Sequence, residues 1–272
     1  MTTYNDEIKE LVRERYGARA QRVIELSPVV EHGDGEHTDG CGCDVSASCC
    51  GPEDLEHAMR LYNDGQLAGL PAESIAASAG CGNPTALAGL QQGERVLDLG
   101  SGGGIDCFLS AQQVGETGHV TGLDMTPSML ELARKNQANL GLTNVEFVQG
   151  EMESMPLPSD SYDVIISNCV VCLSPDKDAV FSESFRVLAP GGRIHLSDVL
   201  ALSAEGPAVT DAESWVACAA GAEYHETYID RMRRAGFEEI EINGEGVEFW
   251  DESDKATYTN TASFKVTARK PL

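Results

Sequence analysis

Residues 95–126 read RVLDLGSGGGIDCFLSAQQVGETGHVTGLDMT. The run RVLDL (95–99) has the length and apolar content of a buried strand, and it stops at Gly100. Gly100, Gly102, Gly103 and Gly104 surround a lone Ser101, so the backbone there can come close to a ligand. A helical stretch, IDCFLSAQQVG, leads to a second strand, HVTGLDM (119–125). Thr126 is a natural N-cap, Pro127 suits the first helical position, and Gly141 is a natural stop. Strand, glycine loop, helix and strand make a βαβ unit. In open sheets of that kind ligands bind beyond the carboxyl ends of the strands.

The alternation continues outward. VEFVQG (145–150), YDVIIS (162–167) and RIHLSDV (193–199) read as further strands, with a helix near 177–189 that stops at Pro190-Gly191-Gly192. Strands separated by helices of this length predict a mainly parallel sheet covered on both faces, an α/β Rossmann-like fold. Upstream, residues 3–22 read as a helix with Leu11, Val12, Tyr16 and Ala20 as its apolar stripe. Residues 31–54 carry no periodicity and are rich in Gly, Asp, Ser, His and Cys, the composition of a loop insert. Short helices are expected over 66–91, broken at Gly80-Cys81-Gly82-Asn83-Pro84. Downstream, a helical stretch near 211–236 precedes two late strands, EEIEING and SFKVTARK. The expected organisation is therefore an N-terminal helical extension with a Cys-rich insert (1–92), a nucleotide-binding core (93–200), and a C-terminal roof with final strands (201–272).

Charge sets limits on partners. The 272 residues include 44 Asp and Glu against 19 Lys and Arg, a formal net charge of −25. Such a surface repels nucleic-acid phosphate and anionic membrane, so neither is an expected partner. Its acidity is spread along the chain, and this predicts a protein suited to high salt, where screening removes self-repulsion. No apolar run of spanning length occurs, and the N-terminus lacks a basic region followed by an apolar one, so a cytoplasmic location is expected.

Nine cysteines are many for a reducing compartment, where clustered thiols more often bind metals or react than form disulfides. Cys41, Cys43, Cys49 and Cys50 lie in the insert. With His32 and His37 they offer zinc-type donors, but C-x-C and C-C lack the usual zinc spacing. Cys107, beside Phe108 and Leu109, reads as a packing residue. Cys81 sits between glycines in a loop, Cys169 follows the fourth strand, and Cys218 lies in the stretch expected to roof the site.

Asp98-x-Gly100-x-Gly102-x-Gly104 departs from the dinucleotide pattern G-x-G-x-x-G and resembles the first motif of class I S-adenosylmethionine methyltransferases. That resemblance implies roles. Asp98, with Ser101 and the loop glycines Gly100 and Gly102, would serve the methionine end. Asp124 would accept from the ribose hydroxyls, and Met125 would pack on the adenine. Gly150, Glu151 and Met152 would meet the adenine edge, and Asn168 would line the methyl end. The glycine-flanked Cys81, Ser167-Asn168-Cys169, Leu173-Ser174-Pro175-Asp176-Lys177 and Cys218 with Gly221-Ala222 narrow the resemblance to the arsenite methyltransferases. This implies methylation of trivalent arsenic, in arsenic detoxification, with Cys81, Cys169 and Cys218 as arsenic ligands. It also implies a thiol reductant as cosubstrate, delivered by a thioredoxin- or glutathione-like partner. Cys172 departs from the family pattern, which usually has asparagine there, and would add a thiol. Two other readings keep parts of the argument: a methyltransferase for a small organic substrate such as a quinone precursor, and a non-catalytic metalloid-binding module.

Overall fold

The computed structural model describes residues 4–26, 60–206, 215, 218, 220–245 and 260–272. Helix α1 (Tyr4–Leu26) is followed by the short helices α2 (Asp64–Leu67), α3 (Ala72–Ala77) and α4 (Pro84–Ala88). The alternating core then runs β1 (Arg95–Leu99), α5 (Ile105–Val114), β2 (His119–Asp124), α6 (Pro127–Leu140), β3 (Val145–Gln149), β4 (Tyr162–Asn168), α7 (Lys177–Val187) and β5 (Leu188–Ala201). Helix α8 (His225–Ala235) and strands β6 (Glu238–Glu245) and β7 (Thr261–Arg269) complete it.

One seven-stranded sheet holds all of these strands in the order β3-β2-β1-β4-β5-β7-β6. Strands β1 to β5 pair in parallel, and β7 runs antiparallel between β5 and β6. The chain order reverses between β1 and β4, and this switch point fixes where a ligand cleft opens. Alternate residues feed the two faces. Leu97, Leu99 and Ile165 pack with Phe181 of α7 and Tyr228 of α8, while Val96, Val164 and Ile166 pack with Phe108 of α5 and Leu130 of α6. Burial on both faces explains why these strands read as continuous apolar runs.

Two expectations change. In α1, Leu11 is 37% exposed, and the buried stripe is Ile8, Val12, Ala20 and Val23. The inward face thus begins one turn earlier and continues to Val23. Helix α7 ends at Val187, two residues before the expected stop, because the chain already enters β5 at Leu188. Pro190-Gly191-Gly192 forms an irregular start to that strand, with the register shifting between the Tyr162–Leu188 and Val164–Arg193 pairs. Of the helical stretch expected near 211–236, His225–Ala235 is helix and Cys218 lies in a turn, while most of 211–219 lies outside the described residues. The insert with Cys41, Cys43, Cys49 and Cys50, and with His32 and His37, lies outside the described residues. Among the described residues no helix is long and apolar enough to cross a membrane.

Candidate active site

The glycine loop forms the floor of the cleft. Gly100, Gly102 and Gly104 have φ of 68°, 50° and 92°, backbone that glycine adopts without strain. A Cβ on Gly100 would stand 2.5 Å from Val170, so the loop after β4 rests directly on it. Asp124 at the end of β2 ties the loop down: its carboxylate accepts from Gly102 N (2.9 Å) and Thr126 N (2.8 Å). Ser101 Oγ is buried and has no hydrogen-bond partner among the described residues.

These residues line a cavity with about 990 Å³ of empty space, its open mouth included. Asp98, Gly100, Ser101, Gly102, Asp124, Met125, Gly150, Met152 and Asn168 all contribute to its wall, and Cys169 stands at one end. Glu151 is not in the wall. It takes Lys9 Nζ at 2.6 Å and pairs with Arg13, so it anchors α1 across the cleft, while its neighbour Glu153 lines the cavity. Lys9, Val12 and Tyr16 of α1 close that side, a contribution that the apolar stripe alone did not disclose.

Beneath the loop lies a buried acidic group. Asp98 is 2% exposed and accepts from Cys107 Sγ at 3.2 Å, so Cys107 both packs and donates. Burial, with Asp106 close by, raises the Asp98 carboxyl well above its usual range. Asp106 is raised to about 6 by burial, against hydrogen bonds from Asn168 and Tyr62 that favour its anion.

Asn168 lines the cavity and also holds a neighbouring loop. Its Oδ1 accepts from Cys81 N (2.9 Å) and Gly82 N (3.1 Å), and its Nδ2 donates to Gly82 O (2.8 Å) and Asp106 Oδ2 (3.1 Å). It clamps the Cys81 loop onto the end of β4. The flanking glycines follow from this closeness: a Cβ on Gly80 would lie 2.3 Å from Asn168 Nδ2, and one on Gly82 would lie 2.4 Å from Ser197 Oγ. Ser263 Oγ of β7 donates to Cys81 O at 2.9 Å and completes the hold.

Four thiols meet behind the cavity. The Sγ atoms of Cys169, Cys172 and Cys218 all lie within 4.8 Å of one another. Cys81 is hydrogen-bonded to Cys169 and packs in the same buried cluster. Cys169 and Cys218 both have left-handed backbone, φ 59° and 69°. A side chain in that region costs on the order of 1 kcal/mol or more, and here it turns each thiol inward. Cys169 N donates to Ser197 O at 2.7 Å, Trp215 Nε1 donates to Leu173 O at 3.0 Å, and a Cβ on Gly221 would stand 2.0 Å from Cys172 O. The Cys218 segment therefore lies flat on the turn that carries Cys172.

Cys218 is held well below the ordinary thiol range by hydrogen bonds from Cys169 and Cys172, against burial, with help from Tyr16 and Arg15. Cys169 is pushed up by the hydrogen bonds it shares with Cys172, Cys218 and Cys81, and by burial. The cluster thus favours the Cys218 thiolate over that of Cys169, and the thiolate is the form that ligates and attacks. Cys172 was readable in the sequence only as an extra thiol. Tyr16 and Tyr62 were not readable as site residues, because their placement depends on how α1 and the 60–83 segment pack.

The family model for a methyltransferase domain matches residues 90–258. The arsenite methyltransferase of Halobacterium salinarum is 41% identical over 98% of this chain and 67% of its own length. That of Mus musculus is 41% identical over 53% of this chain and 41% of its own length, so the chain spans less than half of that relative. The crystal structure of CrArsM, an arsenic(III) S-adenosylmethionine methyltransferase from Chlamydomonas reinhardtii, aligns with a TM-score of 0.62 and 37% identity. The alignment covers 79% of this chain and 73% of that one. The sheet order, the glycine loop and this identity along nearly the whole chain have one consequence: the chain belongs to the arsenite methyltransferases, a branch of the S-adenosylmethionine-dependent class I methyltransferases.

Proposed function

We propose that this chain methylates trivalent arsenic held by buried thiolates, with S-adenosylmethionine as methyl donor. The convergence of buried thiols on Cys169, which lines the cavity, is the observation that carries this reading. Trivalent arsenic is soft and thiophilic, and thiolates are the ligands that suit soft centres. Cys81, Cys169 and Cys218 are the arsenic ligands. They displace the hydroxyls of arsenite as water, and a pyramidal centre with an exposed lone pair remains.

The cavity fits the methyl donor. Ser101 Oγ is a buried polar atom without a partner among the described residues, and the Asp124 carboxylate lines the wall at the end of β2. When bound, S-adenosylmethionine supplies an electrophilic methyl group on a sulfonium. Asp124 takes the ribose hydroxyls, Met125 packs on the adenine, and Gly150 and Met152 meet its edge, with Glu151 bracing that edge through Lys9 and Arg13. Asp98 acts through the glycine loop on the methionine end. Asn168 positions Cys81. The chain's main contribution is alignment of arsenic with the methyl carbon, and the transfer needs no general base.

The methylated arsenic is formally pentavalent, so a thiol reductant is a cosubstrate, supplied by a thioredoxin- or glutathione-like partner. The same reading makes the protein cytoplasmic, an agent of arsenic detoxification, and adapted to high salt. The three-part division at 92 and 200 separates the helical extension, the S-adenosylmethionine-binding core and the arsenic roof. The test is direct. Protein, S-adenosylmethionine, reduced thiol and arsenite are incubated, and arsenic species are separated by chromatography. Methylated arsenic is expected. Its absence, with the protein folded and the donor bound, overturns the reading.

A further inference from the structure

The reading above leaves one thiol of the cluster without a task. Cys172 is fully buried, and its Sγ lies within 4.8 Å of those of Cys169 and Cys218. It also completes a Cys-x-x-Cys sequence, Cys169-Val170-Val171-Cys172, the spacing found in dithiol redox pairs. The two thiols are hydrogen-bonded across a 3₁₀ turn, Val171–Leu173, in which Leu173 N donates to Val170 O at 3.0 Å. That turn is braced on both sides. Lys177 Nζ donates to Ser174 O at 2.9 Å, and Gly221 packs on Cys172 O. Asp198, also fully buried, hydrogen-bonds Cys172 and receives Tyr228 Oη at 3.1 Å. The second thiol of a redox pair is thus fixed against a thiol that holds the substrate.

We propose that Cys172 is the built-in reductant of this site: it forms a disulfide with Cys169 after methyl transfer and returns arsenic to the trivalent state. The inference rests on the function proposed above. The step balances. After transfer, arsenic is pentavalent and cationic, bonded to one methyl and to the sulfurs of Cys81, Cys169 and Cys218. The Cys172 thiol loses its proton to solvent, and its thiolate attacks the sulfur of Cys169. An S–S bond forms and the As–S bond to Cys169 breaks, with its electron pair staying on arsenic. Two thiol sulfurs are oxidised, arsenic is reduced by two electrons, and the charge is cancelled. Neutral monomethylated trivalent arsenic then remains on Cys81 and Cys218. An external dithiol or glutathione-type reductant reopens the Cys169–Cys172 bond, and arsenic can move back to Cys169 at the cavity.

A single-turnover experiment without external thiol tests this. Reduced, desalted full-length protein receives one equivalent of arsenite and excess S-adenosylmethionine. It is then acid-quenched, alkylated and mapped by peptide mass spectrometry, with arsenic speciation in parallel. The expected result is one Cys169–Cys172 disulfide per methyl transferred, with the methylated arsenic trivalent. In Cys172→Ser that disulfide cannot form, and the pentavalent share of the methylated product should rise about tenfold or more. Methylated trivalent arsenic formed while Cys169 and Cys172 stay alkylatable, or a disulfide that joins either to an insert cysteine instead, overturns the inference and leaves the methyltransferase reading intact. No methylated arsenic from the unaltered protein overturns both.

Discussion

Each buried thiol and each buried acid in this site answers to a different force, and single substitutions separate them. Cys169 and Cys218 sit at left-handed positions where the backbone itself is turned to present sulfur. Cys81 depends instead on the Asn168 clamp. Monomethylated arsenic has two exchangeable positions, and Cys169 with Cys218 can fill them. Cys81→Ser should therefore lose methylation of arsenite yet retain some methylation of the monomethylated trivalent species. Cys169→Ser should lose both, because a protonated hydroxyl is a poor substitute for a thiolate. Single-turnover assays with the two substrates read the difference. Full activity of Cys169→Ser on arsenite would remove Cys169 from the ligand set. Asp106 tests electrostatics. Its carboxyl is raised to about 6 by burial, above an unfolded value near 4. A group raised in the fold favours the native state below its unfolded pKa, and that advantage is lost as pH rises through the folded value. Between pH 4 and 7 Asp106 should withdraw about 2 kcal/mol of stability. Asp106→Asn keeps an acceptor for Tyr62 and Asn168 but cannot ionise. The stability gap, variant minus parent, should therefore widen with pH over that window in urea denaturation. Parallel curves would mean that Asp106 is not raised.

At the scale of elements, the glycine loop and β2 act as one piece because Asp124 bonds to both Gly102 N and Thr126 N. Asp124→Ala should cost the donor complex its ribose hydrogen bonds, about 1.5–3 kcal/mol each. It should also slacken the loop. Calorimetry should show at least tenfold weaker S-adenosylmethionine binding together with a lower melting temperature, and unchanged affinity would take Asp124 out of the site. The elements that carry this loop were legible in the sequence for a physical reason. The run Arg95–Leu99 is buried at every position after the first, and such runs admit few other conformations. Tyr162–Asn168 is likewise buried except at Asp163 and Asn168, and the switch point between the two strands follows from connectivity alone. Other features depend on tertiary packing. In α1 both Ile8 and Leu11 are apolar and near the stripe, and contact with α3 and α6 selects Ile8, which continues the four-residue spacing of Val12, Tyr16 and Ala20. The start of β5 at Leu188 was hidden by Pro190-Gly191-Gly192, which in isolation reads as a break. The cysteines divide in the same way. Cys81 was marked by its glycines, whose reason is the closeness of Asn168 and Ser197. The proximity of Cys172 to Cys218 spans a gap in sequence that only the folded turn closes.

The whole molecule carries a net charge of −25, an excess of acids that no ion pairing within the chain can offset. The pairs that do form have structural tasks. Arg193 of β5 takes both oxygens of Glu94, just before β1, and Lys9 with Arg13 holds α1 over the cleft through Glu151. The uncompensated acids repel one another, and that repulsion bears on the folded chain more than on the expanded one. Screening should relieve it. The Debye length falls from about 10 Å at 0.1 M salt to about 3 Å at 1 M, shorter than most spacings between surface charges. Added potassium chloride should weaken the exposed half of each ion pair as well, but such pairs contribute roughly 0–1 kcal/mol, less than the summed repulsion of so many unpaired carboxylates. The melting temperature should therefore rise steadily from 0.1 M into the molar range. The rise should be steepest at neutral pH and smaller near pH 4.4, where the sequence reaches its isoelectric point and the repulsion is already gone. This pH comparison separates screening from the general salting-out of apolar surface, which strengthens burial at either pH. A melting temperature indifferent to salt at neutral pH, or a rise of equal size at both pH values, would show that the acidic surface is not what limits the stability of this fold.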